Sequence, residues 1–187
     1  MGPGIALLIL IGIAVLLVGW VIATYNRLVG FRNQIDGAWA QIDVQLRRRY
    51  DLIPNIVETV KGYASHEKEV FEKVTAARSA MMQARGVEEQ AQAQNMITQA
   101  LKTLFAVAEA YPELKANQNF LALQDELSNT ENQIAQSREV YNALVARYNA
   151  LIQSFPVNAI ASGFGFRDRQ YFPVEEEARE APRVSFS

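Results

Sequence analysis

Apolar and polar residues follow different plans in different parts of this chain. From Ile5 to Ala23 there is no charged and no strongly polar side chain. As a helix at 1.5 Å per residue this run is about 28 Å long, close to the hydrocarbon thickness of a bilayer. A helix can cross lipid because it satisfies its own backbone groups. Trp20 and Tyr25 fall at its exit, where amphipathic rings favour the headgroup layer. Beyond it, apolar residues recur in steps of three and four at Leu28, Phe31, Ile35, Trp39, Ile42, Leu46, Tyr50 and Ile53. That is the period of an amphipathic helix. Only Gly30 interrupts the join, at a cost of about 1 kcal/mol, so the spacing predicts one nearly continuous rod.

Breaks in the pattern divide the rest of the chain. Pro54 biases Ile53 out of helical geometry and is tolerated in a first turn, and Asp51 can cap a new helix. A turn is expected at Tyr50–Pro54, with a kinked helix as the alternative. The next stripe runs from Ile56 to Met81, and Gly86 suits the position just past a helix end. Glu88–Gln94 reads as a turn and a solvated first helical turn. A third stripe holds Ile97, Leu101 and Leu104 and stops at Pro112. Asn117 or Asn119 caps a fourth, which includes Phe120, Leu127, Ile134, Tyr141, Tyr148 and Phe155 and stops at Pro156. The expected plan is a short segment 1–4, a transmembrane helix 5–25 and a bundle 26–155 with helices near 26–50, 54–85, 90–111 and 118–155. An aromatic, membrane-proximal tail 156–172 and an acidic, disordered tail 173–187 complete it.

Four amphipathic helices joined by short connections imply an antiparallel up-down bundle. The fold class is therefore all-α, a transmembrane helix continuous with a four-helix bundle. Alternating helices then put Arg47, Arg48 and Arg49 with the Tyr111–Lys115 loop at a membrane-distal tip, and bring the aromatic tail back to the membrane.

Composition narrows the chemistry. The net charge of −2 argues against a nucleic-acid partner. The absence of cysteine excludes disulfides and thiol chemistry. One histidine, His66, excludes multi-histidine metal sites, and no Glu-x-x-His pair, phosphate loop or nucleophile elbow is present. No cofactor and no catalytic set is expected. Asp43, Glu58 and Glu131 fall near inner stripes and read as partners for Arg47, Arg48 or Arg138. Asn142 and Asn149, a heptad apart, read as a polar stripe that specifies helix pairing. The start of the chain lacks the basic region of a cleaved signal, which favours a permanent anchor; the alternative is cleavage at Val21-Ile22-Ala23. Arg27 and Arg32 follow the apolar run, which places the bundle on the cytoplasmic side by the positive-inside rule.

Three groups of residues are candidates for binding. Gly12 and Gly19, extended by Ala23, share one face of the apolar helix and allow close approach of a second helix. The competing reading is that glycine is common in membrane helices. Phe164, Phe166, Tyr171 and Phe172, with Arg167 and Arg169, either enter the membrane interface beside Trp20 and Tyr25 or cap the open end of the bundle. Arg47, Arg48 and Arg49 with Tyr111, Glu113 and Lys115 offer a tip for a partner. A solvated helix end is the alternative.

The blocks Ala38-Trp39-Ala40-Gln41-Ile42-Asp43-Val44-Gln45-Leu46-Arg47-Arg48-Arg49, Asp51-Leu52-Ile53-Pro54-Asn55 and Val60-Lys61-Gly62-Tyr63-Ala64 resemble the central signature of the LemA family. Tyr111–Asn117, Leu127–Asn132 and the ending Ile160-Ala161…Phe164-Gly165-Phe166…Tyr171-Phe172 resemble its other blocks. The resemblance covers nearly the whole chain to Phe172. It implies a bacterial single-pass protein of the cytoplasmic membrane with a four-helix domain, no established enzymatic activity and a part in membrane organisation or envelope stress. The function expected is a non-enzymatic, self-associating scaffold in contact with the lipid bilayer. The alternative is an adaptor whose tip recruits a membrane protein such as a protease.

Overall fold

A computed structural model describes residues 3–173 of the chain. The expected acidic stretch Glu175–Glu177 lies outside them. The elements are α1 (Pro3–Lys61), α2 (Lys68–Gln83), α3 (Gly86–Glu109), α4 (Pro112–Lys115), α5 (Gln118–Gln153) and α6 (Val157–Gly163). No strand occurs among the described residues. The all-α class holds, with the apolar run opening a helix that continues into the bundle.

The expected turn at Tyr50–Pro54 is absent, because α1 runs through Pro54 to Lys61. Proline removes one backbone hydrogen bond there. Against that loss, Ile53, Ile56, Val57 and Val60 are all buried along the stripe that continues past it. Each fully buried side chain of this kind is worth about 1.5–3 kcal/mol, so packing outweighs the missing bond. Gly62 follows the last helical residue, and the amides of Tyr63 and Ala64 both donate to the Val60 carbonyl. The second helix is correspondingly short and begins at Lys68, not near residue 54.

Gly86 is not the cap of α2. It is the first residue of α3, with φ at +83°, a left-handed value that glycine reaches without steric cost. The Arg85 amide donates to Glu89 Oε2 at 2.7 Å across this start, so Glu88–Gln94 is helical, and Gln94 is buried. Asn117 caps α5, its Oδ1 accepting from the Phe120 amide at 3.0 Å.

The described residues form two compact units, 3–40 with 140–170, and 41–139 with 171–173. In the second, Ile53, Ile56 and Val60 of α1 share a core with Phe71 and Val74 of α2, Ile97 and Leu104 of α3, Leu114 of α4, and Phe120 and Leu127 of α5. Arg49 meets Glu131 and Tyr63 meets Asn117, so α1 and α5 run antiparallel here. In the first unit Leu28 and Ile35 of α1 are buried with Val145, Tyr148 and Ile152 of α5 and Ile160 of α6. The Trp39 and Tyr141 rings lie 5.6 Å apart.

Candidate functional site

The apolar run has no cover. None of the residues in the apolar window of α1 is buried, and the helix is long and apolar enough to cross a membrane. Val21 is partly covered, Thr24 is the first buried residue, and cover is complete at Leu28. The edge of the first unit therefore falls within about a turn of Ala23.

A ladder of contacts along α1 shows what occupies that edge. Asp36 binds Arg169 at 3.1 Å, the Arg32 guanidinium lies 5.7 Å from the Phe166 ring, and Tyr25 meets Phe164 and Phe166 edge-on at 5.0 and 5.6 Å. Descending α1 toward the apolar run thus leads from Arg169 to Phe164. Phe164 is 58% exposed at the level of Tyr25, and Phe155, in the turn between α5 and α6, is 88% exposed. The periodicity predicts Phe155 on the inner stripe of the fourth helix. The helix instead ends at Gln153, which turns Phe155 outward. The signal is Pro156, whose effect reaches back a turn.

The aromatic tail does not act as one group. Phe166 is buried against α1. Beyond it the chain turns back along α5 as a strap. Gln153 donates to Asp168 at 3.1 Å, and Tyr141 donates to the Gln170 carbonyl at 2.9 Å. Asn149 uses its whole amide, donating to the Arg169 carbonyl and accepting from the Arg169 amide, both at 2.9 Å. Asn149 therefore holds the strap and does not pair helices. Phe172 is 2% exposed beneath the Arg138 guanidinium, 4.6 Å from its ring. Tyr171 remains half exposed. Of the expected interface residues, Trp20, Tyr25 and Phe164 are exposed at the end of the apolar run, and Arg167 is exposed one residue beyond Phe166. Phe166, Arg169 and Phe172 serve internal packing.

The expected tip is also redistributed. Arg47, Arg48 and Arg49 lie within α1, well short of its end. Arg47 pairs with Asp43 at 3.0 Å, and Arg48 pairs with Glu126. Arg49 is 1% exposed and binds Glu131 and Thr98. Glu131 thus serves Arg49, and Glu58 serves Lys61. The neighbour of the Tyr111–Lys115 segment is the α1–α2 connection, where Asn117 Nδ2 donates to the Tyr63 hydroxyl at 2.9 Å. Glu113 and Lys115 are exposed there, Tyr111 is half-buried and Leu114 is buried. His66 is exposed in the same connection.

Gly12 and Gly19 sit on the uncovered helix, and a Cβ added to either meets nothing within 4 Å. An open cleft of about 350 Å³ in the second unit is lined by Leu46, Tyr50, Met81, Met82 and the Asp43–Arg47 pair. Among the described residues no three His, Cys, Asp or Glu side chains gather as a metal set.

Comparison with known proteins gives a consistent relationship. The model of the LemA family matches residues 38–186. Magnetosome protein MamQ 2 of Paramagnetospirillum magneticum is 25% identical over 98% of this chain and 77% of its own length. Protein LemA of Metamycoplasma hominis is 28% identical over 82% of the chain and 71% of its own length. Magnetosome protein MamQ of Magnetospirillum gryphiswaldense is 25% identical over 86% and 68% respectively.

Proposed function

Since the chain belongs to the LemA family, we propose that this membrane-associated helical protein is a non-enzymatic scaffold. In this reading it self-associates through its apolar helix and organises the membrane, or membrane proteins, around it. The observation that carries the reading is the bare apolar run of α1. An exposed Leu or Ile forgoes about 1.5–3 kcal/mol relative to burial, so a run of this length demands lipid, other helices, or both. The outward Phe155 and Phe164 at its edge would seat the first unit against the interface.

Gly12 and Gly19 offer a clean test of assembly. A Cβ added at either position meets nothing within 4 Å in the isolated helix, whereas leucine at both keeps two helices apart. Native mass measurement of the full-length protein in mild detergent and in native lipid should show assemblies, and Gly12→Leu/Gly19→Leu should shift them toward monomer. A wild-type monomer in both media would remove self-association from the proposal. The adaptor reading keeps only the Tyr63–Lys115 end, where Glu113 and Lys115 are exposed, since the three arginines are engaged by acids of the same unit. Crosslinking that captures another membrane protein at Lys115 would favour it.

A further inference from the structure

We propose that the edge of the first unit nearest the apolar run is a binding site for the phosphodiester headgroup of anionic phospholipids, formed by Arg27, Arg32 and Arg167. The proposal rests on the anchoring of the chain in a membrane and specifies the lipid. The chain as a whole is acidic, with 20 Asp and Glu against 18 Lys and Arg. Its two segments at this edge are the opposite. Residues 20–35 and 154–167 contain no acid, and between them they carry Arg27, Arg32 and Arg167. The nearest carboxylates on the ladder are already engaged, Asp36 by Arg169 and Asp168 by Gln153.

None of the three arginines pairs with a carboxylate among the described residues, and all are exposed. Arg27 lies 6.0 Å from the Phe31 ring and Arg32 lies 5.7 Å from the Phe166 ring. Contact with a ring face orients a guanidinium but uses none of its N–H donors. Those donors match phosphate oxygens in number and geometry. Phe164, meeting Tyr25 at 5.0 Å, fixes the depth of this edge at the headgroup layer, where phosphates are dense and the field of anionic lipid is strongest. Arg169 is excluded, being held by Asp36 and the strap.

The shared chemistry is a phosphate anion, which a lipid or free phosphate could supply, and the experiment separates them. Full-length protein is reconstituted in phosphatidylcholine bilayers with a trace of spin-labelled phosphatidylglycerol or spin-labelled phosphatidylcholine. The fraction of each label immobilised by the protein is compared. Phosphatidylglycerol should be favoured about fivefold, the factor that one arginine engaged at about 1 kcal/mol supplies. Arg27→Gln/Arg32→Gln/Arg167→Gln should bring the ratio close to one, the corresponding triple lysine variant should retain a preference, and Arg85→Gln in the second unit should change nothing. A ratio near one for the wild type, or a preference surviving the triple glutamine variant, overturns the site. Loss of the preference on adding inorganic phosphate at constant ionic strength assigns the site to free anion and overturns the lipid. If neither label is immobilised, the anchoring itself fails.

Discussion

At the residue scale, the largest fully buried side chain among the described residues is Arg49. It is 1% exposed, and its partner Glu131 is 45% exposed. Removing one member of a fully buried pair costs about 3–5 kcal/mol because a charge is stranded. Here the carboxylate left behind reaches water, so the smaller loss applies, that of a charge-assisted hydrogen bond and some packing. Arg49→Met should lower stability by about 1.5–3 kcal/mol, read from chemical denaturation of the detergent-solubilised protein. A loss below about 0.5 kcal/mol would show that Arg49 contributes only its aliphatic packing. Tyr141 supplies a pH signature. Burial, chiefly, and the Asp36 charge push its phenol above the usual range, against the opposing Arg169. Tyr148 is pushed up as well, again mainly by burial. Phenols that hold their protons more tightly when folded contribute fully below the ordinary value of about 10, and the contribution is lost as pH rises through the folded value. Stability should therefore fall with rising pH above about 10. Tyr141→Phe should flatten that fall without abolishing it, since Tyr148 remains. At neutral pH the variant should lose about 0.5–1.5 kcal/mol with the Gln170 bond.

At the scale of elements, Pro54 shows where local rules yield to packing. Its sequence signal is sound, since proline disfavours helix both at itself and at the residue before. What the sequence does not show is that the stripe through Ile53, Ile56 and Val60 stays buried beyond it. The true stop is Gly62, which the periodicity alone carries inside a continuing helix. Pro54→Ala should restore a backbone hydrogen bond to the Tyr50 carbonyl and raise stability by about 1–3 kcal/mol. A decrease would mean that the proline ring's own packing matters more. The strap is illegible for a different reason. A heptad pair of asparagines looks the same whether it faces a helix or a peptide backbone, and only the fold brings Arg169 to Asn149. Asn149→Asp keeps the acceptor but loses the donor and sets a carboxylate against the Arg169 carbonyl. Limited tryptic cleavage at Arg167 and Arg169 should accelerate clearly in that variant, while cleavage at Arg85 should not change.

At the scale of the molecule, helix content, the order of the long helices and the bare apolar run are all legible, because periodicity and length determine them. The division of labour within the tail is not, because Phe164 and Phe166 differ in burial, not in kind. The uncovered run also separates two properties that single-pass proteins often combine. Residues that bury nothing in the fold contribute nothing to its packing, and the apolar window of α1 is wholly unburied. A chain beginning at Val21 retains Thr24, Leu28 and every buried partner of α5 and α6. It should therefore keep the helicity and the unfolding midpoint of the parent to within about 2 °C, a shift that corresponds to about 0.5–1 kcal/mol for a domain of this size. A larger drop would mean that the apolar run supports the bundle directly. The shortened chain also still presents Phe155 and Phe164, so it should associate weakly and reversibly with vesicles of phosphatidylcholine alone, which offer the arginines no net anionic charge. Substituting both with serine should release it with no change in midpoint. Release accompanied by a lowered midpoint would instead make these rings part of the fold and leave the apolar helix as the sole seat in the membrane.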